Sequence, residues 1–439
     1  MSQIWLSIVG FLVVFGIIFA IMSKRLTTVI ALAVIPLIGA ILVGKFNEIP
    51  AYMSAGISKV AVNGVMFFFA VLFFGTMMTA GAFDPVVKFI VKCCKGNPLY
   101  ICIGTYVLSI IGHLDGSATT TVLLVCGVMV PIYKKMNMRL RNLACILAMG
   151  SGLMNMSPWG GPTLRAATVM DIELNTFFKP MLVPILITLA IGLIPVIFLG
   201  LAENKRLKAA GFEYHKVEIS SGEEEMSEDE RALRRPKMTI PNLIVIVAVI
   251  ALMISGILTP GAAFLLGTVL AWMLNYRSLA DQQKIMRLHG PNMVFVVSAL
   301  YGAGVLMGVL TNSGMAAAMA NTLVSLIPAS LTKFVPVFVG VLATPLSLVF
   351  DADTFYYGIL PVLTQSAAAL GISGSGICYA ALVGQLTLGW AITPLTPATL
   401  LMCGMCDLNL GDHQKFTLKF VWPLSIVLLI IMMIFGLIF

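Results

Sequence analysis

The sequence predicts an all-α polytopic membrane protein built from two inverted-topology repeats, each holding a re-entrant hairpin and a broken helix. Three observations carry that prediction. Of the 439 residues, 59% are hydrophobic and only 10% charged, with a mean hydropathy of +1.01. A soluble domain has about 25% charged residues, so this chain lacks the charge to coat a water-facing surface. A soluble globule, a nucleic-acid-binding protein and a disordered scaffold are thereby excluded. Second, apolar stretches near the ~20 residues of a spanning helix follow one another along the chain. Third, each half holds two apolar stretches interrupted by Gly, Pro and polar residues, and the interruptions recur at a fixed offset.

Continuous spans are expected at about 4–22, 26–44, 63–83, 179–201, 241–258, 260–276, 291–311 and 420–439. The opening Met1-Ser2-Gln3-Ile4-Trp5 has no basic stretch and no small-residue cleavage site, so it reads as a retained first helix and not a signal peptide. Residues 99–133 and 334–370 are expected to be re-entrant hairpins, and 142–170 and 376–404 broken helices. Segment 203–238, with eight Lys/Arg and nine Asp/Glu, reads as a solvated linker between a first membrane repeat at 1–202 and a second at 239–439.

The basic residues set the orientation. With the N-terminus outside and the linker cytoplasmic, threading the spans puts 22 Lys/Arg inside. Lys45, Lys59, Lys179 and Lys333 alone fall outside. Cytoplasmic loops carry the excess of Lys and Arg, and this split holds only if the two hairpins enter and leave on the same side, the first from the cytoplasm and the second from outside. Arg165 is left with no loop to sit in.

The interruptions match between halves. His113-Leu114-Asp115-Gly116-Ser117-Ala118-Thr119-Thr120 is followed by Asn155-Met156-Ser157-Pro158-Trp159-Gly160-Gly161-Pro162-Thr163; Phe350-Asp351-Ala352-Asp353-Thr354 is followed by Ile392-Thr393-Pro394-Leu395-Thr396-Pro397-Ala398-Thr399. Asp115 and Asp351, Ser157 and Thr393, Pro158 and Pro394, and Thr163 and Thr399 are each 236 residues apart. Hairpins that enter from opposite sides make the repeats inverted, and inverted repeats with paired broken helices mark a secondary transporter.

Non-helical backbone at membrane depth is tolerated only where protein or a wet cavity covers it. Pro158, Pro162, Pro394 and Pro397 are expected to break the helices, with Gly160 and Gly161 loosening the backbone. Each half-helix N-terminus then offers N–H groups and a positive dipole end to an anion. Ser157, Thr163, Thr393, Thr396 and Thr399 add hydroxyls for carboxylate oxygens, and Ser117 and Thr119 join them from the first hairpin tip. The ionisable groups at membrane depth are Asp115, Arg165, Asp351 and Asp353, with His113 beside them. A charge there costs ~3 kcal/mol or more, so such groups are functional candidates by default. Three acids around one base repel a bare polyanion. They suit protons, a cation, or an anion already neutralised by a metal.

Other chemistry finds no support. Gly39-Ala40-Ile41-Leu42-Val43-Gly44-Lys45 imitates a P-loop, but Phe46 stands where Ser or Thr must hold magnesium. The pair Cys403 and Cys406 has no second pair to complete a zinc site. There is no H-E-x-x-H and no G-x-S-x-G, so no enzyme is expected.

The stretches Thr79-Ala80-Gly81-Ala82-Phe83-Asp84-Pro85, Leu114-Asp115-Gly116, Asn155 to Thr163, Asp353-Thr354-Phe355-Tyr356-Tyr357-Gly358 and Leu410-Gly411-Asp412-His413-Gln414-Lys415-Phe416-Thr417-Leu418-Lys419 resemble, in order along nearly the whole chain, the citrate–divalent-metal:proton symporter family of the ion-transporter superfamily. The resemblance implies proton-driven uptake of citrate complexed with magnesium, calcium or a similar ion across the bacterial inner membrane. The metal is cargo, and no tightly bound cofactor is expected. It also implies a homodimer with a scaffold and an elevator-like transport domain, in lipid and without nucleic acid. Substrate or metal contacts carry over to Asp115, Asn155, Gly160, Gly161, Thr163 and Arg165, with Asp353 opposite; Asp115 and Asp353 are the metal candidates and, with Asp351, the candidates for proton coupling. The family's D-G-D-G tip reads Asp115-Gly116-Ser117-Ala118 here, with His113 ahead of it, and Asp351 is placed to restore the missing acid. His413 is expected in a cytoplasmic loop with a structural role. A sodium-coupled di- or tricarboxylate carrier of the same superfamily remains the alternative within transporters, and a channel or sensor the alternative outside them.

Overall fold

In lipid a backbone is satisfied within helices or a closed barrel, and continuous apolar runs of this length favour helices; the computed structural model has helices and no strand among the residues it describes: 2–23, 25–94, 96–211, 228–326 and 333–439. Lys24, Lys95 and the middle of the expected linker lie outside them. The chain runs α1 (Gln3–Met22), α2 (Thr28–Leu42), α3 (Ile49–Ala80), α4 (Asp84–Cys94), α5 (Pro98–Gly112), α6 (Ala118–Lys135), α7 (Leu140–Met154), α8 (Gly161–Met170), α9 (Leu174–Phe178) and α10 (Leu182–Ala209). A short α11 (Glu228–Leu233) leads into α12 (Thr239–Ile254), α13 (Pro260–Asn275), α14 (Leu279–Asn312), α15 (Met315–Leu326) and α16 (Val335–Leu346). A π-helical turn at Thr354–Ile359 runs into α17 (Leu360–Ala369), followed by α18 (Gly374–Leu382), α19 (Pro397–Met405) and α20 (Leu410–Ile434).

Helices stand at all eight expected continuous spans: α1, α2, α3, α10, α12, α13, α14 and α20. Among the described residues six helical segments are long and apolar enough to cross a membrane, and a pair bent by 72°, Val297–Asn312 with Met315–Thr322, makes a seventh. Phe15, Phe19, Phe198 and Ile244 stand exposed on these segments, and Ile38 and Leu266 on the shorter apolar helices α2 and α13. This is a multi-pass membrane protein.

α3, α14 and α20 depart most from the expected bounds, α20 running from Leu410 to Ile434 where 420–439 was expected. α3 starts at Ile49, ahead of 63, because Ser54, Lys59 and Asn63 lower hydropathy without breaking a helix. α14 starts at Leu279, ahead of 291, where the Ser278 hydroxyl accepts the Asp281 N–H at 3.1 Å and caps it. α15 was not expected, being too short to span. It lies across α1, with Ser7 Oγ 2.8 Å from Thr322 Oγ1.

Packing of α3 on α14 uses small residues. A Cβ on Gly56 would collide with the Gly304 carbonyl, and one on Gly64 would come within 2.9 Å of the Tyr301 hydroxyl. Small residues let two backbones close up where lipid offers no hydrophobic drive to association.

The four interrupted stretches are helix–break–helix units. α5 and α6 flank a tip at 113–117, and α16 and α17 flank 347–353 with the π-helical turn. α7 and α8 are parted by 155–160, α18 and α19 by 383–396. The second helix break is 14 residues long and the first six, so the offset of 236 holds from Ser157 and Thr393 into α8 and α19 but slips at the ends of α7 and α18. The prolines do not end the first half-helices. α7 stops at Met154 and α18 at Leu382, before Pro158 and Pro394, whereas Pro162 and Pro397 sit in the first turns of α8 and α19, where a missing N–H is harmless.

Candidate functional site

The two helix breaks are bonded to each other and to the hairpin tips. Asn155, where α7 gives out, donates its side-chain N–H to the Leu386 carbonyl at 2.7 Å. Leu386 is buried and left-handed at φ 51°, a conformation costly for a branched residue, and its N–H is held by Ser347 Oγ at 2.9 Å. Gln385 reinforces the joint: its Nε2 donates to the Phe350 carbonyl at 3.2 Å, and its own carbonyl accepts Tyr356 OH at 2.8 Å. Gly160 closes the first break because a Cβ there would collide with the Asn155 carbonyl.

Trp159 ties the first break to the first hairpin tip. Its Nε1 donates to the Leu114 carbonyl at 2.6 Å, and its ring packs on Phe74 of α3 and Phe264 of α13, centroids 5.1 and 5.6 Å away. At the tip, Asp115 Oδ1 accepts the Ser117 N–H at 2.9 Å, and Ser117 Oγ caps α6 through Thr120. Next to it Gly116 turns at φ 70° against the Trp159 carbonyl.

Arg165, the basic residue without a loop, projects from α8 onto the second hairpin. Its Nε and Nη2 donate to Asp353 Oδ1 at 2.9 and 2.7 Å. The guanidinium lies 5.7 Å from the Tyr357 ring centroid, and the two charged side chains are only 13% and 10% exposed. Asp351 turns back on its own chain, accepting from Thr354 N and Oγ1 at 2.8 and 3.0 Å. No hydrogen bond or ion pair among the described residues joins Asp115 to Asp351 or Asp353.

The candidate hydroxyls divide. Ser157 Oγ and Thr163 Oγ1, around the start of α8, are buried without a hydrogen-bond partner, which is uncommon for buried polar atoms. Gly161 lies against the Arg165 guanidinium. In the second break, Thr396 and Thr399 both donate to the Trp390 carbonyl, at 3.3 and 2.7 Å, so these hydroxyls hold the break itself. Thr393 Oγ1 accepts the Leu395 N–H at 3.2 Å. Thr119 is exposed on the first turn of α6, apart from the others.

His113 is wholly buried, stacked on Trp390 with centroids 6.1 Å apart. Its Nδ1 lies 2.7 Å from Thr121 Oγ1, a hydroxyl also within reach of the Ser117 and Gly112 carbonyls at 2.7 and 3.2 Å. Among the described residues Nε2 of His113 makes no well-formed hydrogen bond, the Asn155 side chain being near it, and Nε1 of Trp390 makes none.

Several residues of this arrangement were not among the sequence candidates for the site, among them Trp159, Ser347, Tyr356, Gln385, Leu386, Trp390, His413 and Gln414. The Gly384 and Gly389 pair flanking Gln385 and Thr387 in an apolar run was the available signal. His413 requires a correction: it lies in the first turn of α20, buried, not in a loop. Asn409 caps that helix. His413 Nε2 donates to the Ala391 carbonyl and Gln414 Nε2 to the Ile392 carbonyl, both at 2.8 Å. Consecutive side chains thus hold consecutive carbonyls of the second break.

Among the described residues no three His, Cys, Asp or Glu side chains gather to hold a metal. The eight cysteines are free thiols, Cys126 and Cys406 meeting at 3.9 Å without a bond.

A helical membrane protein with four helix–break–helix units, bonded break to break beside a buried ion pair, has the build of a membrane transporter. The family model for CitMHS, described as citrate transporter, matches residues 17–384, and the chain belongs to that family of transporters, not of enzymes. It is 37% identical over 435 residues to the "Citrate transporter" of Bacillus subtilis strain 168, covering 99% of both chains. It is 34% identical over 433 residues to that organism's "Mg(2+)/citrate complex secondary transporter", covering 98% of both. Among solved structures it resembles the Alcanivorax borkumensis YdaH transporter, with a TM-score of 0.60, 14% identity and 90% and 89% of the two chains covered. Neisseria gonorrhoeae MtrF gives 0.59, 13%, and 88% and 84%. These two likenesses concern the fold.

Proposed function

We propose that this protein is a secondary active transporter that carries citrate, or a similar tri- or dicarboxylate, as a complex with a divalent metal ion in symport with protons. The observation that carries this reading is the buried Arg165–Asp353 pair bridging α8 and the second hairpin. A ligand that is anionic at one end and metal-bearing at the other can open such a pair and satisfy both halves, carboxylate on Arg165 and metal on Asp353. A bare polyanion satisfies only the first. Once a buried pair is parted, an unmatched charge is strongly destabilising, so selection falls on the complex.

The rest of the site supports the same reading. Ser157 and Thr163 hydroxyls and the N–H groups of Gly160 and Gly161 face a carboxylate at the positive end of α8. Asp115 serves as a metal or proton contact from the first tip, with Asp351 beside Asp353. A metal already chelated by citrate needs few protein ligands, so three gathered side chains are not required. In this reading 1–202 and 239–439 are inverted repeats around a cytoplasmic linker, the N-terminus is outside in a bacterial inner membrane, and two copies form a dimer with elevator-like movement.

The test is uptake of labelled citrate by purified protein in liposomes under an inward proton gradient, with and without magnesium, calcium or zinc, and without sodium. Uptake that needs both metal and gradient is expected. Uptake driven only by sodium transfers the reading to the sodium-coupled carriers, and gradient-driven uptake without metal removes the complex as substrate.

A further inference from the structure

Away from the Arg165–Asp353 pair, a cavity of about 210 Å³ opens between α3, the C-terminal end of α8 and the start of α13, lined in part by Lys59, Asn63, Asp171 and Glu173. We propose that it is a docking subsite for the metal–carboxylate complex, in which the metal replaces the Lys59 ammonium on Asp171 and the released Lys59 takes a carboxylate. This rests on the substrate reading above.

The Asp171 backbone caps α8, but its carboxylate does not suit that position electrostatically. It caps α8 at φ 55°, a left-handed conformation that glycine or asparagine adopts more easily. Its carboxylate also sits at the negative end of the α8 dipole. What answers that charge is the Lys59 ammonium, 3.0 Å from Asp171 Oδ2. Lysine here is a tethered cation on a carboxylate that a free cation can claim.

The pair is accessible and easily parted. Its side chains are 44% and 51% exposed, and exposed ion pairs hold weakly. Glu173 adds a second acid while capping α9 through the Thr176 N–H at 2.8 Å. The cavity is smaller than the ~300 Å³ of the smallest ordinary ligand pockets, which suits partial engagement of a complex and not its enclosure.

Geometry links this subsite to the buried one. Asp171 lies six positions beyond Arg165 on α8, ~9 Å along the helix. Between them Asn63 of α3 donates to Thr168 Oγ1 at 3.0 Å. α8 therefore bears two base–acid pairs, a buried one at its middle where it supplies the base, Arg165, and an exposed one at its C-terminal cap where it supplies the acid, Asp171.

Two measurements test the proposal. The first is EPR titration of bare Mn²⁺ into the purified protein, without citrate. Lys59→Gln removes the competitor and is expected to tighten binding by about tenfold, whereas Asp171→Asn weakens it. The second is magnesium-citrate uptake in liposomes. At low ionic strength both variants should raise the half-saturation concentration ~3–10-fold, with the maximal rate held within about twofold. High salt should shrink the difference. Identical Mn²⁺ binding in all three proteins overturns the proposal. So does a lost maximal rate at unchanged half-saturation, which makes the pair a latch between α3 and α8. If wild-type protein takes up no citrate, the substrate reading falls on its own and the Mn²⁺ titration still decides whether the cavity takes a metal.

Discussion

Asn155 and Leu386 sit 231 residues apart, yet the amide of one holds the carbonyl of the other at 2.7 Å where both membrane helices have come undone. The bond makes the two breaks one unit. Asn155→Leu keeps the bulk but strands a buried carbonyl, at a cost of about 1–3 kcal/mol. Thermal unfolding in detergent should show that loss. Uptake should fall by at least about tenfold, because small misplacements of binding groups are expensive. A variant with wild-type stability and uptake would sever the proposed link.

The Arg165–Asp353 pair makes a prediction about sign as well as size. Arg165→Lys supplies a point charge in place of two N–H groups aimed at one oxygen, and uptake should fall with affinity as its main casualty. Arg165→Ala alone leaves Asp353 buried and unpaired, costing about 3–5 kcal/mol. The double variant with Asp353→Ala should be the more stable of the two while remaining inactive. If the double variant transports, the pair is a staple and not the site.

His413 and Gln414 hold the Ala391 and Ile392 carbonyls of the second break. His413→Ala or Gln414→Ala releases one carbonyl of the second break and should cost about 1–3 kcal/mol. Gln414→Glu should do comparable harm, because a carboxylate oxygen then faces the Ile392 carbonyl in place of a donor. Comparison of half-saturation with maximal rate is the informative measurement. A loosened site raises the first, whereas simple loss of folded protein lowers only the second.

Gly56→Leu probes the seam between α3 and α14. The added side chain meets the Gly304 carbonyl and the Gly308 backbone, so the helices must separate. Overpacking of this kind costs about 1–3 kcal/mol or more. Crosslinking of cysteines placed across the seam should slow, and a rate equal to that of the parent would show the contact to be loose.

Much of the fold was legible in the sequence because lipid imposes a blunt rule: an apolar stretch of sufficient length must be a helix. That rule located α1, α2, α12 and α13 closely, α10 to within a few residues at its start, and α20 with its first ten residues missed, and it marked the four interrupted stretches as irregular. It was blind to α15, too short to span, and to the first turns of α3, where Lys59 and Asn63 lower hydropathy without disturbing backbone hydrogen bonds. Arg165 and Asp353 were legible for the same reason in reverse, since a charge in an apolar stretch stands out. What only the tertiary structure decided was who partners whom. Nothing in the local sequence says that Arg165 faces Asp353, that Asn155 holds Leu386, or that His413 and Gln414 steady the second break. Those choices are made where irregular backbone exposes carbonyls and N–H groups that must find partners away from water, and the partners come from whichever elements the packing brings near.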